Sequence, residues 1–205
     1  MHFDREDLIL VTGSGLLIYA IFYLIACIRK KKFTPFAAGQ GIMLFVFCCY
    51  GAVVLHITGI LELLLLRYPP GTIVRQNLLS GFHWDLFRGH VFRPVYLNFL
   101  LFVPFGFFAA PAIPQIRWNL LRALLLGFCV SFSIELLQGL IGRVQELDDV
   151  IMNTGGTVAG YAVWTALFSR KYTFWQRVLL IVLTVALSYA GVYEVRELCL
   201  NAVGG

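Results

Sequence analysis

One stretch of this chain concentrates the residues that could do chemistry. Within IELLQGLIGRVQELDDVIMNTGGTVAG, residues 134–160, polar side chains lie where two apolar runs meet. These side chains are Glu135, Gln138, Arg143, Asp148, Asp149 and Asn153. Ionisable groups inside a membrane are costly and usually face a partner or a water-filled cavity. We therefore expect a functional site here, provided that the apolar runs cross a membrane.

Binding of a polar head group is the first chemistry that these residue types favour. A guanidinium such as that of Arg143 holds a phosphate through charge-assisted hydrogen bonds, and Asp149 would position it. The remaining polar edge of the ligand would be hydrogen-bonded by Glu135, Gln138, Asn98 and Asn153. This leading hypothesis is non-enzymatic and needs neither a cofactor nor a resident metal.

Catalysis on a lipid-linked substrate, by a membrane-embedded hydrolase or transferase, is the alternative. Glu135, if it is removed from water, would suit acid–base work and is the best catalytic candidate. Together with Asp148 and Asp149 it would also suit a hard divalent cation such as magnesium. No serine or cysteine has a recognisable activating neighbour, so the sequence disfavours covalent catalysis.

Purely structural roles would also account for most of these residues. Asp148 and Asp149 are favourable at the start of a helix, where they complement the positive end of its dipole. Asn153 suits an interhelical hydrogen bond, and Arg143 suits an ion pair. Glu135 is the hardest to explain in this way. A bundle that merely scaffolds a partner protein is therefore a third hypothesis.

The composition indicates that the site lies in a membrane protein. Apolar residues make up 60% of the chain and charged residues only 13%, whereas about a quarter of the residues of a soluble domain are charged. A helix that crosses the hydrocarbon core needs about 20 apolar residues. We therefore expect the whole chain, 1–205, to form a single integral membrane domain.

Six apolar runs predict an all-α, polytopic transmembrane helix bundle. The runs cover residues 8–28, 41–66, 95–116, 123–141, 150–168 and 178–195. Between the second and third, LLSGFHWDLFRGHVF predicts an amphipathic segment on the membrane surface, as a lipid anchor or as a roof over the site. His56, within the second run, is expected to be a buried histidine with satisfied hydrogen bonds.

The distribution of basic residues predicts the orientation of the bundle. Lys and Arg near helix ends accumulate on the cytoplasmic side, and every lysine falls inside if the amino terminus is outside. Six crossings then put both termini outside, and the site under the outer leaflet. The net charge of +5 reflects this topology, so nucleic-acid binding is not expected.

Helical spacing predicts how the polar residues converge. Ser131, Glu135 and Gln138 share one face of the fourth run, because residues three and four apart are stacked on a helix. Asp149, Asn153, Gly156 and Gly160 share a face of the fifth run. The two glycines permit close approach of a neighbouring helix, and the short connection makes the fourth run the natural neighbour.

The third run brings further polar groups to the same depth. Asn98 lies about one turn from its outer end, at 1.5 Å rise per residue. Pro104 removes a backbone donor and frees the carbonyl of Leu100, which predicts a kink. A free carbonyl in lipid needs a partner, so the bend should face protein or a polar pocket.

These residues resemble the VanZ-like family of bacterial membrane proteins. The resemblance rests on Asn98 with LFVPFG up to Gly106, on Glu135 followed by LLQ, and on Arg143 followed by ELDDVIMNTGG and Gly160. It covers about residues 41–168, so the first and sixth helices, 8–28 and 178–195, look like additions to the family core. Glu146 stands where the family often has aspartate.

The resemblance implies a protein of the bacterial cytoplasmic membrane. The family is named for a member associated with resistance to the glycopeptide antibiotic teicoplanin. That member acts without remodelling the peptidoglycan precursor. The resemblance therefore implies an envelope protein with a possible effect on teicoplanin susceptibility. Membrane lipids, or a lipid-linked cell-wall precursor, are the expected partners.

Overall fold

Long apolar runs become long helices in the computed structural model of the protein. The structure describes residues 5–30, 38–68, 82–84, 92–169 and 173–179, together with 182 and 184. In chain order its elements are α1 (Arg5–Lys30), α2 (Ala38–Ile57), α3 (Ile60–Leu64), β1 (Phe82–His83), α4 (Phe92–Ala112), α5 (Leu120–Leu140), β2 (Gln145–Glu146) and α6 (Leu147–Phe168). The predicted all-α bundle is confirmed.

Three of the described helices are long and apolar enough to cross a membrane. They are α1, residues Gly39–Ile57 of α2, and α5. Their outward surfaces carry exposed leucines, such as Leu17 on α1 and Leu125 on α5, as lipid-facing helices do. The number of six crossings stays a prediction, because most of the sixth run, 178–195, lies outside the described residues.

The second apolar run is not one helix, contrary to expectation. α2 ends at Ile57, and α3 begins at Ile60. Between them Gly59 has a left-handed backbone with φ of 78°, which glycine adopts without a steric penalty. The Thr58 hydroxyl donates to the Val54 carbonyl at 2.9 Å. The chain therefore turns at residues 58–59, which we call the α2–α3 corner.

Helices α4 and α6 run parallel, with their backbones in contact. A Cβ on Gly156 would collide with the carbonyl oxygen of Phe99, and one on Gly160 with that of Val103. On the α4 side, a Cβ on Gly106 would collide with the Thr157 carbonyl. The glycine face of α6 thus packs against α4, not against α5 as the short connection had led us to expect.

The opposite side of α6 packs against α5, which runs antiparallel to it. A Cβ on Gly127 would lie 2.8 Å from the Thr157 side chain, so the small residue at this contact comes from α5. Further along, Ala123 packs near Tyr161 and Trp164 in one apolar cluster. α6 is therefore enclosed between two helices, and its polar residues Asn153 and Thr157 are buried.

Pro104 lies inside α4, which continues past it to Ala112. The hydroxyl of Tyr50, on α2, donates to the carbonyl of Leu101 at 2.7 Å, one residue beyond the carbonyl that the sequence had indicated. A polar group of the proline region is thus satisfied by the neighbouring helix.

The antiparallel packing of the helices gives the bundle two chemically different ends. At the polar end, α2 and α5 finish and α6 begins, and Thr58, Gln138 and Arg143 lie there. At the basic end, α4 and α6 finish and α5 begins, with Arg117, Arg122 and Arg177 nearby. The candidate site lies at the polar end.

Candidate functional site

Glu135 is held at the amino end of α6. Its side chain is only 1% exposed. Oε2 accepts a hydrogen bond from the backbone nitrogen of Glu146 at 3.0 Å, and Glu146 is the residue that precedes the first turn of α6. The free N–H groups and the dipole of a helix favour a carboxylate at this end. Glu135 thus ties the end of α5 to the start of α6.

Gln145 strengthens the same connection from the other side. Its side-chain Nε2 donates to the backbone carbonyl of Glu135 at 3.0 Å, and its side chain lies against Gly139, where a Cβ would leave too little room. Gln145 is 2% exposed. The last two residues of the connection from Ile141 to Glu146 are therefore both tied to Glu135.

Gln138 and Arg143 converge on one backbone oxygen at the α2–α3 corner. The Thr58 carbonyl accepts from Gln138 Nε2 at 3.1 Å and from Arg143 Nη1 at 2.8 Å. A helix end leaves carbonyls without intrahelical partners, which makes this oxygen available. Gln138 is buried, whereas Arg143 is exposed. The corner therefore orients a guanidinium that still faces outward.

Asn153 forms a second buried network, one turn deeper. Its Nδ2 donates to Ser131 Oγ at 2.8 Å, and Ser131 Oγ donates to the Asp149 carbonyl at 3.4 Å. The Thr157 hydroxyl donates to the Asn153 carbonyl at 2.9 Å. Asn153 Oδ1 is buried and has no hydrogen-bond partner among the described residues. This network joins α5 to α6 below Glu135.

The two aspartates occupy the first turn of α6. Asp148 is 1% exposed, and Asp149 is half-buried. Asp149, Glu146 and Arg143 are close enough to act electrostatically on the Glu135 carboxyl. The Arg143 guanidinium donates to the Thr58 carbonyl, and the expected positioning of Arg143 by Asp149 stays a prediction.

Asn98 lies on α4 and is half-buried. Its neighbour Phe99 packs against Gly155 and Gly156 of α6. Within the described part of the chain, the hydrogen bonds of the Glu135 and Asn153 networks come from α5, α6 and the connection between them. Among the described residues, hydrogen bonds thus join Gln138 and Arg143 at Thr58 and join Glu135 to Glu146. Asn98 takes part in none of these bonds, and its contribution to the site stays a prediction.

The surface segment before α4 reaches this site. Strand β1 pairs in parallel with β2, so that Phe82 is opposite Gln145 and His83 opposite Glu146. Phe82 is buried, while Trp84 is 59% exposed. The rest of the predicted amphipathic segment, residues 78–81 and 85–91, lies outside the described residues. The part that is described covers the connection that Glu135 holds.

Three residues of the site escaped the sequence reasoning. Thr58 supplies the oxygen on which Gln138 and Arg143 meet, and Gln145 fixes the connection. Tyr68 places its hydroxyl at the same corner and donates to the Gly59 carbonyl at 3.3 Å. A Thr-Gly pair inside an apolar run is a turn signal, and this signal could have revealed Thr58.

A metal centre finds no support in the described residues. No three His, Cys, Asp or Glu side chains there are close enough to hold an ion, so Glu135, Asp148 and Asp149 do not form the magnesium site considered above. His56 is buried. Its Nδ1 lies within hydrogen-bonding distance of Glu62 Oε1, and its Nε2 lies 3.6 Å from Asp7 Oδ1. It has the satisfied environment that its place in an apolar run had indicated.

Comparison with known proteins gives one finding. A family model described as VanZ/LLP1 matches residues 47–169, which is more than half of the chain. The match includes Thr58, Glu135 and Arg143, and it leaves out α1. No curated protein and no solved structure matches the chain.

Proposed function

Because the chain belongs to the VanZ/LLP1 family and carries helices of membrane-spanning length, we propose that its polar end binds the head group of a membrane lipid or of a lipid-linked cell-wall intermediate. The resemblance to VanZ-like proteins is confirmed, and the chain is a membrane protein. The proposal adds a bacterial cytoplasmic membrane, an outward-facing polar end and a non-enzymatic role.

The observation that carries this proposal is that the Arg143 side chain is exposed and yet oriented by a hydrogen bond. A guanidinium has five N–H donors in a fixed fork, and the Thr58 carbonyl engages Nη1. The side chain is otherwise exposed. An arginine that is oriented before binding loses less freedom when it meets a phosphate. Arg143 is therefore the residue that we assign to direct contact with the ligand.

Glu135 and Gln138 act behind Arg143 in this proposal. Both are buried, so they are enclosed by protein rather than presented to a ligand. Glu135 holds the amino end of α6, and Gln138 shares the Thr58 oxygen with Arg143. They are positioning residues, since they fix the connection from which the guanidinium projects. This accounts for a carboxyl group that apolar surroundings would otherwise make costly.

An effect on glycopeptide susceptibility would follow from the same site. A protein that holds a cell-wall intermediate by its phosphate would change how much of that intermediate is accessible at the cell surface. We propose this as the cellular consequence. It requires no chemical change in the intermediate.

Mass spectrometry of the lipids retained after gentle purification tests the proposal. A hydrogen bond to a charged group contributes about 1.5–3 kcal/mol, so Arg143→Gln should lower the retained phosphate-bearing lipid by at least about tenfold. Arg5→Gln, which removes an exposed arginine at the start of α1, is the control and should retain it. Equal lipid profiles in wild type and Arg143→Gln would refute the proposal.

A further inference from the structure

Two arginines are held at the basic end, where α4 gives way to α5. Arg117 Nη2 donates to the Pro111 carbonyl at 2.9 Å, and Arg122 Nη1 donates to the Gln115 carbonyl at 3.0 Å. Both acceptors belong to the end of α4 or the connection after it. The two guanidiniums are thus fixed to one short piece of backbone.

Among the described residues, no ion pair joins either arginine to a carboxylate. No aspartate or glutamate occurs between Asp85 and Glu135, and Glu135 lies at the opposite end of α5. The side chains of Arg117 and Arg122 donate to backbone carbonyls, which carry no net charge. The described contacts therefore leave the positive charge of both arginines without a paired carboxylate.

One donor at this site has no hydrogen-bond partner among the described residues. Arg117 Nε is buried and makes no hydrogen bond within the described part of the chain. An unsatisfied buried donor costs about 1–3 kcal/mol. The Arg117 guanidinium therefore keeps donor capacity that the described residues leave unused.

An aromatic surface adjoins the two arginines. Trp118, between them in the chain, is 58% exposed, and its ring lies 5.1 Å from that of Trp164. Trp164 in turn stacks on Phe168, which is also exposed. Tryptophan side chains favour the membrane–water interface. The arginines therefore lie where lipid phosphates are found, with apolar rings beside them for the acyl region.

We propose that Arg117, Trp118 and Arg122 form a binding site for the phosphate of an acidic membrane phospholipid. The amino end of α5 adds the positive end of a helix dipole, and Asn119 caps that end by accepting from the Arg122 nitrogen at 3.0 Å. The site lies at the opposite end of the bundle from Arg143. It does not depend on the function proposed for the polar end.

Native mass spectrometry of the full chain in detergent tests this site. The probes are phosphatidylglycerol and phosphatidylcholine with the same acyl chains, titrated separately. A basic residue near an acidic lipid surface contributes about 1 kcal/mol, so Arg122→Gln should weaken the first phosphatidylglycerol bound by about fivefold. Arg122→Lys should keep part of that affinity, because it retains the charge but not the fork.

The control removes an exposed arginine at the other end, by Arg67→Gln. It should bind phosphatidylglycerol as wild type does. Arg122→Gln is the decisive variant, since Arg122 is exposed and its loss should leave the fold intact. Arg117→Gln should also weaken phosphatidylglycerol binding, and its affinity can be interpreted if its unfolding temperature equals that of wild type.

Three results would overturn the inference. The first is an equal affinity for phosphatidylglycerol in Arg122→Gln and wild type. The second is wild-type binding that does not distinguish the acidic lipid from phosphatidylcholine. The third is displacement of the lipid by millimolar inorganic phosphate, which would mark a site for the free anion rather than for a membrane lipid.

Discussion

At the scale of single residues, one buried carboxyl group explains how the polar end is built. Glu135 accepts from the Glu146 nitrogen, and Gln145 donates back to the Glu135 carbonyl. These two bonds close the connection between α5 and α6 from both sides. A buried backbone donor that loses its acceptor is destabilising by about 1–3 kcal/mol. Glu135 should therefore be needed for its oxygen rather than for its charge.

Substitution of Glu135 separates these two properties. Glu135→Gln keeps an acceptor for the Glu146 N–H, so its unfolding temperature in detergent should stay close to that of wild type. Glu135→Leu removes the acceptor and should lower stability by about 1–3 kcal/mol. An equal loss in both variants would show that the negative charge itself is required.

Tyr50 offers a second test at this scale. Its hydroxyl donates to the Leu101 carbonyl in the proline-containing helix. Tyr50→Phe keeps the ring, which packs near Phe108, and removes the hydroxyl. We expect a loss of about 1 kcal/mol of stability, measured by thermal unfolding. An unchanged unfolding temperature would mean that this carbonyl needs no partner from α2.

At the scale of elements, the sequence predicts where the helices lie in the chain better than it predicts which helices pack against one another. Apolar runs of sufficient length place α1, α4, α5 and α6 to within a few residues, because the hydrophobic requirement is local. The α2–α3 corner was missed, since one Gly59 with a positive φ interrupts a run that stays apolar throughout. The partner of the glycine face was also missed, because contact between distant helices is not encoded in spacing.

The candidate site shows the same division. Helical spacing alone places Ser131, Glu135 and Gln138 on one face, and their burial in the structure follows. The bond from Arg143 to Thr58 joins residues 85 positions apart, and nothing in the local pattern of either residue indicates it. Acceptors supplied by the backbone carry no residue-type signal, so sequence reasoning cannot identify them.

The contact between α4 and α6 gives a prediction with a matched control. Gly160→Ala would drive a Cβ into the Val103 carbonyl and to 2.7 Å from the Phe107 nitrogen. Gly155→Ala, on the same helix, would meet only the Phe99 ring at 3.6 Å. Overpacking costs about 1–3 kcal/mol, so Gly160→Ala should accumulate less and unfold at lower temperature than Gly155→Ala. Similar behaviour of the two variants would contradict backbone contact.

At the scale of the whole molecule, the two ends differ in charge and so in the lipid leaflet that they would meet. The polar end holds Glu135, Glu146 and the two aspartates beside Arg143, and the basic end holds Arg117 and Arg122. Basic residues collect on the cytoplasmic side of membrane proteins. The proposed orientation therefore puts the polar end outside.

Cysteine labelling in intact cells tests this orientation. Val144→Cys places a thiol on the exposed connection at the polar end, and Gln115→Cys places one at the basic end, each in a chain whose native cysteines are replaced. A membrane-impermeant maleimide should label Val144→Cys in intact cells and Gln115→Cys only after permeabilisation. The reverse pattern would invert the bundle and move the proposed head-group site to the cytoplasmic leaflet.

The glycine contact between α4 and α6 has a mechanical consequence. Side chains that meet can change rotamer, whereas two backbones in contact cannot slide past one another without separating. The close backbone contacts at Gly106, Gly156 and Gly160 should therefore make the parallel pair α4 and α6 the most rigid part of the bundle. We therefore expect any motion that admits a ligand in parts joined by side chains, such as the Thr58 carbonyl with its two side-chain donors.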